Sequence, residues 1–205
     1  MDESSYPTLQ LWYAPTSPFA RKVRVAACEL GLADRIELVR VDPWTDNRLR
    51  ARNPLAKVPT LVVDGSEIFF ESGVICDFLD SLKDQRQLFP PAGTARWKAL
   101  RLQGAADGAM TAMGRLFADE RRPANERSEA MMRRFVEARE ATLDWLEQAD
   151  FAPNPTIGEI SVAVLLGYLE FRWPERNWRI GRPRLADWFD AFRMRPSMQT
   201  TAHSH

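Results

Sequence analysis

The sequence predicts a small α/β domain followed by an all-helical bundle, an α/β plus all-α class within one chain. Three observations carry this. Strand-like and helix-like periodicity alternate through the first ~80 residues. A polar segment containing Pro90 and Pro91 then interrupts the pattern. Beyond it the apolar spacing is helical almost throughout. The boundaries read as residues 6–83 for the α/β domain, 84–94 for the linker and 95–200 for the helical domain.

Each element has its own signal. "TLQLWYA" (Thr8 to Ala14) reads as a strand. Pro18 to Leu30 reads as a helix, with Ser17 at N-cap, Pro18 at N1 and Gly31 just past the end. "IELVRV" (Ile36 to Val41) is a second strand, and strand–helix–strand implies parallel pairing. After a linking segment, Thr60 to Phe70 reads as a hairpin turning at Asp64-Gly65, a pair suited to positive φ. Ser72 is the expected N-cap of a helix running to Leu82. Four further helices are expected: Ala95 to Glu120, Glu126 to Gln148, Ile157 to Phe171 and Arg184 to Met194. The third of these opens on Thr156 and Glu159, a capping box, to which we assign a folding role.

Composition narrows the function classes. At 205 residues and 45% hydrophobic, the chain can build a sizeable core without disulfides. Basic and acidic residues balance at 28 each, so no global field draws in nucleic acid or an anionic membrane. No apolar run approaches the ~20 residues that span a bilayer. "MDESSYPTLQ" is polar and acidic, unlike a secretory signal, and the expected location is cytoplasmic. Cys28 and Cys76 lack metal or redox spacing and read as inert thiols. His203 and His205 lie in the last three residues, which predicts chemistry without imidazole and no metal site.

Two motifs suggest ligand chemistry. In "KVPT" (Lys57 to Thr60) the Val58–Pro59 bond is open to the cis form at about 0.5–1 kcal/mol. A cis bond would turn the Val58 main chain outward to pair with an extended peptide-like ligand; otherwise Pro59 is a turn proline. In "ESGVI" (Glu71 to Ile75) the helix-start amides and the Ser72 hydroxyl suit a carboxylate, while Glu71 suits an ammonium. Together they fit the backbone end of an α-amino acid. Read singly, Ser72 is a plain cap and Glu71 a solvated acid.

The ordered set "SPFARKVR", "NPLAKVPTL", "ESGVICDFL", "TIGEISVA" and "RMRPSMQTT" resembles the glutathione transferase superfamily over nearly the whole chain. The resemblance implies a thioredoxin-like glutathione-binding domain, a helical domain and a homodimer. Residue by residue, it implies that Val58 pairs with the cysteinyl part of glutathione, with Pro59 as the cis proline. Glu71 and Ser72 hold the γ-glutamyl end, and Lys57 lies near the glycyl carboxylate. Ser17 stands at the first-helix position that is serine in some classes and cysteine in others. Tyr13 is not placed like the tyrosine of the tyrosine-type classes. The implied activity is conjugation of glutathione, through its sulfur, to a small hydrophobic electrophile. Glutathione is the co-substrate, with no metal, nucleic acid or membrane partner. The alternatives are a non-catalytic interaction module and a glutathione-dependent lyase or isomerase. "TSPF" lacks the Ser-Ser-Cys cluster of zeta-type isomerases.

Ser17 need not attack anything, because the substrate brings its own sulfur. Lowering a thiol pKa from about 8.5 by two units requires about 2.7 kcal/mol. A hydrogen bond to a charged acceptor supplies about 1.5–3 kcal/mol, and a helix N-terminus adds about 0.3–1 kcal/mol. Thr16 is the fallback donor. Met110, Met113, Phe117, Tyr168 and Trp173 are candidates either for the electrophile's wall or for ordinary core. Gly104, Gly108 and Gly114 imply close packing or ligand room along the first long helix, and Asp107 is a solvated acid or a ligand contact across a dimer.

Overall fold

The computed structural model describes residues 7–204. The expected domain start at residue 6, the polar residues 1–6 and His205 lie outside them. Two units emerge, and the first runs to Gly93 and also takes in the segment from Pro196.

The first unit holds a four-stranded sheet in the order β2-β1-β3-β4. β1 (Leu9–Tyr13) pairs parallel with β2 (Ile36–Arg40) and antiparallel with β3 (Thr60–Val63), which pairs antiparallel with β4 (Glu67–Phe70). Every residue of central β3 is buried, while edge strand β2 is largely exposed. This follows from position, because only inner strands are covered on both faces. The hairpin turns where expected: Asp64 and Gly65 both take positive φ, and the Ser66 amide donates to the Val63 carbonyl. Asp64 also accepts from the Thr8 amide at 2.9 Å, tying the turn to the start of β1.

α1 (Pro18–Glu29) begins at Ser17, whose hydroxyl accepts from the Ala20 amide at 3.2 Å. It ends in a Schellman motif. The Leu32 amide donates to the Ala27 carbonyl and the Gly31 amide to that of Cys28, with Gly31 at φ 65°. Beyond β2, residues expected only to link contain α2 (Asn47–Arg52). Asp46 caps it, and its single apolar anchor, Leu49, packs with Trp12, Val41 and Val62. One buried residue in six leaves no helical period to read. α3 (Ser72–Ser81) corrects the assignment of Ser72 as N-cap: Glu71 occupies that place at φ 68°, and Ser72 is the first helical residue.

The second unit runs from Thr94 to Arg195. It contains α4 (Thr94–Asp119), α5 (Glu129–Glu147), α6 (Ile157–Arg172) and α7 (Pro183–Phe192). α5 starts later than expected because Pro123 leads into a short 3-10 turn, Ala124–Glu126, and Ser128 then caps the helix. The Thr156–Glu159 capping box at α6 is present, and Glu159 also accepts from the Ala152 amide at 2.9 Å. α6 is buried nearly all round, as befits a central helix. Among the described residues, no helix is long and apolar enough to cross a membrane.

A short α8 (Pro196–Thr200) returns to the first unit, where it packs on α1. This corrects the expected helical-domain span of 95–200. Met198 is buried, and Arg21 of α1 donates to its carbonyl at 3.0 Å. The contact spans 177 positions, so no local pattern announces it.

Close helix packing falls on Gly158, not on the glycines that punctuate α4. A Cβ on Gly158 would lie 2.7 Å from the Ala99 carbonyl oxygen, whereas one on Gly104, Gly108 or Gly114 meets nothing within 4 Å. Gly158→Ala is therefore expected to lower stability by about 1–3 kcal/mol. Gly104→Ala is expected to raise it by up to about 1 kcal/mol. Urea midpoints of the two variants check this, and shifts of the same sign would contradict it.

Candidate functional site

The strand registers bring the sequence-predicted residues to one edge of the sheet. Trp12 stands opposite Thr60, Thr60 opposite Phe70, and Tyr13 opposite Arg40. The chain therefore leaves β1 toward Ser17, enters β3 from Lys57–Pro59 and leaves β4 toward Glu71–Ser72, all at that edge. α1 and α3 also pack together.

Ser17 is half-buried, and its amide donates to the Ala14 carbonyl at 3.0 Å, closing a tight turn. Because its hydroxyl accepts from the Ala20 amide, the hydroxyl proton remains to be donated outward. The cap and a thiolate donor are thus compatible roles for one oxygen. The α1 N-terminus adds its partial positive charge at the same place.

The Val58–Pro59 peptide is cis. Among the described residues, neither the amide nor the carbonyl of Val58 makes a backbone hydrogen bond. The loop before it is organised by Asn53, which sequence reasoning missed. Asn53 is buried; its Nδ2 donates to the Lys57 carbonyl and to Thr60 Oγ1, each at 3.0 Å, and its Oδ1 accepts from the Leu55 amide. Thr60 Oγ1 donates to the Lys57 carbonyl at 2.9 Å. An asparagine followed by proline reads locally as a turn, so its long reach was hidden. Lys57 itself is exposed.

Glu71 is exposed and Ser72 buried, so carboxylate and hydroxyl sit at the rim and base of one helix start. The first helical bond of α3 runs from the Ile75 amide to the Glu71 carbonyl. The amides of Ser72, Gly73 and Val74 therefore have no partner within the helix and can meet an anion.

A cavity of about 700 Å³ opens beside the Ser17 turn. Ala14, Pro15 and Thr16 form one side, and the segment Arg40–Arg48 the other. Asp42 shapes that segment by accepting from the Trp44 amide and the Thr45 hydroxyl. Asp46 caps α2, and its hydrogen bond with Arg48 holds its carboxyl below the usual carboxylate range.

The structure moves an imidazole to this edge. His203 Nδ1 lies 3.1 Å from the Pro15 carbonyl oxygen, in the turn that precedes Ser17. The segment from Pro196 packs back on α1, which brings the near-terminal His203 beside the turn that precedes Ser17. Cys28 is half-buried and Cys76 is buried, and neither forms a disulfide; burial raises the Cys28 thiol pKa. Among the described residues, no cluster of His, Cys, Asp or Glu is arranged to hold a metal ion. Met110 and Met113 are fully buried, and Tyr168 and Trp173 nearly so, which makes these candidates core. Phe117 meets Trp173 edge-on, with the Arg121 guanidinium 3.2 Å from its ring centre.

Comparison with known proteins supports one family across both units. A family model described as the glutathione S-transferase N-terminal domain matches residues 16–82, and one for the C-terminal domain matches residues 101–191. The uncharacterised GST-like protein YibF of Escherichia coli K12 is 30% identical over 178 residues, or 83% of this chain and 86% of that one. A glutathione transferase family member from Pseudomonas fluorescens Pf-5, crystallised with bound glutathione, is 35% identical with a TM-score of 0.92. It covers 96% of this chain and 100% of its own. A second Pf-5 structure, with bound S-(propanoic acid)-glutathione, is 33% identical over the same shares with a TM-score of 0.85. Since models for both halves match in order, the chain belongs to the glutathione S-transferase superfamily.

Proposed function

We propose that the protein binds glutathione along the sheet edge and conjugates it to a small hydrophobic electrophile: the thiolate sulfur forms a new S–C bond while the electrophile's leaving group departs or its accepting atom takes up a proton. The Val58 main chain pairs with the cysteinyl unit beside cis Pro59. Glu71 takes the γ-glutamyl ammonium, and Ser72 with the α3 amides takes its carboxylate. Lys57 serves the glycyl carboxylate. Ser17 donates a hydrogen bond from its hydroxyl to the sulfur and so favours the thiolate at the α1 N-terminus, with Thr16 as the neighbouring alternative. The protein acts as a homodimer, a reading that rests on the family resemblance.

The observation that carries this reading is the Ser17 hydroxyl, which accepts from the Ala20 amide and so keeps its proton for a ligand. The thioether bound to the Pseudomonas relative supports carbon transfer to the glutathione sulfur as the type of reaction. Calorimetric titration with glutathione tests the binding step. Saturable heat is expected for the wild-type protein, with affinity about tenfold or more weaker in Glu71→Gln, since hydrogen bonds to charged groups are involved. Absence of heat with millimolar glutathione would remove the proposal.

A further inference from the structure

We propose that His203 is a positioning residue for the Ser17 turn. This rests on the reading of Ser17 as the thiolate donor and extends it to a residue 186 positions away in the sequence. The Pro15 carbonyl can only accept, so the Nδ1 of His203, 3.1 Å away, carries the proton of this bond. Both the neutral Nδ1–H tautomer and the imidazolium make it. The bond fixes the peptide plane between Pro15 and Thr16, one residue before Ser17. The turn is closed from its own side by the Ser17 amide on the Ala14 carbonyl, and its outer side borders the cavity of about 700 Å³. A turn that faces open space needs an external hold to keep one hydroxyl aimed.

The segment carrying His203 is itself anchored. Arg21 donates to the Met198 carbonyl at 3.0 Å, and Arg24 to the Thr200 carbonyl at 3.4 Å. Ser197 donates to Glu29, and Thr201 Oγ1 donates to the Ser197 carbonyl at 2.6 Å. Met198 and Thr201 are buried. Three α1 side chains thus hold α8, and His203 leaves α8 to touch the turn that begins α1. The same helix that offers its N-terminus to the sulfur therefore also carries the brace of its own entry turn.

The test compares His203→Ala and His203→Asn in the full-length protein, with glutathione as probe. Asparagine places an amide N–H near the position of Nδ1. In His203→Ala, kcat should fall about threefold to tenfold with KM for glutathione nearly unchanged, the scale of one lost hydrogen bond. The pKa of bound glutathione, read from thiolate absorbance, should rise by about half to one unit. His203→Asn should restore both. An unchanged thiol pKa in His203→Ala, or a loss that Asn does not rescue, overturns the proposal. Amide hydrogen exchange at Ser17 separates this from the functional reading. If the wild type binds no thiolate, that reading fails by itself; faster exchange in His203→Ala still supports the brace, and unchanged exchange overturns it.

Discussion

Replacing Ser17 by alanine is expected to lower glutathione turnover about tenfold to hundredfold, the kinetic equivalent of one hydrogen bond to a charged acceptor. The bound thiol should titrate about one to two units higher. Alanine also removes the N-cap of α1, at about 1 kcal/mol of stability. Ser17→Gly separates the two effects, because glycine caps within a few tenths of a kcal/mol of serine yet carries no hydroxyl. If the hydroxyl donates to the sulfur, Ser17→Gly should be as slow as Ser17→Ala while melting closer to the wild type. Ser17→Thr should keep most of the activity. Normal turnover by both the alanine and glycine variants would move the donor elsewhere, and Thr16→Val would then be the variant that loses it. Thiolate absorbance of the glutathione complex against pH is the direct measurement.

The largest stability effect is expected at Asp80, far from any proposed chemistry. Its carboxylate is fully buried and accepts three backbone amides, from Gln87 at 2.9 Å and from Leu88 and Phe89 at 3.0 Å each. The Arg86 guanidinium stands 3.7 Å away. These bonds fold the segment after α3 back on itself and seat Leu88 and Phe89 in the core. Asp80→Ala strands the three amides and is expected to lose about 3–5 kcal/mol, the range for breaking a buried charged network. Asp80→Asn keeps one acceptor oxygen and should fall between the two. Equilibrium urea denaturation reads both. A midpoint for Asp80→Ala within error of the wild type would mean that the bend holds without its acceptor.

The comparison of the sequence with the fold follows the range of each interaction. Ser17, Gly31, the Asp64-Gly65 turn and the Thr156–Glu159 box all close their hydrogen bonds within a few residues. Each can therefore be read from neighbours in the chain, and each lies where its residues imply. Ser72 missed its expected role by one position, because positive φ at Glu71 is set by the exit from β4 and leaves no mark in residue type. α2 was hidden because six residues with one buried leucine show no period. The polar segment with Pro90 and Pro91 was legible as a break, but the acceptor that bends it, Asp80, looks like any helical acid until the amides of Gln87, Leu88 and Phe89 surround it.

Local signals in the sequence by itself determined the class of both units, the starts of α1 and α6 and the Asp64-Gly65 turn, because capping and chain reversal depend on adjacent residues. The gathering of Ser17, Val58, Pro59, Glu71 and Ser72 at one edge was decided by strand register, since pairing Trp12 with Thr60 and Thr60 with Phe70 is a choice made across the sheet. Asn53 became a loop organiser, and His203 a neighbour of Pro15, only when distant backbone was brought within hydrogen-bonding reach. A side chain's donor capacity is written in its residue type, but the acceptor it meets is fixed by packing, and for His203 that acceptor lies 188 residues away.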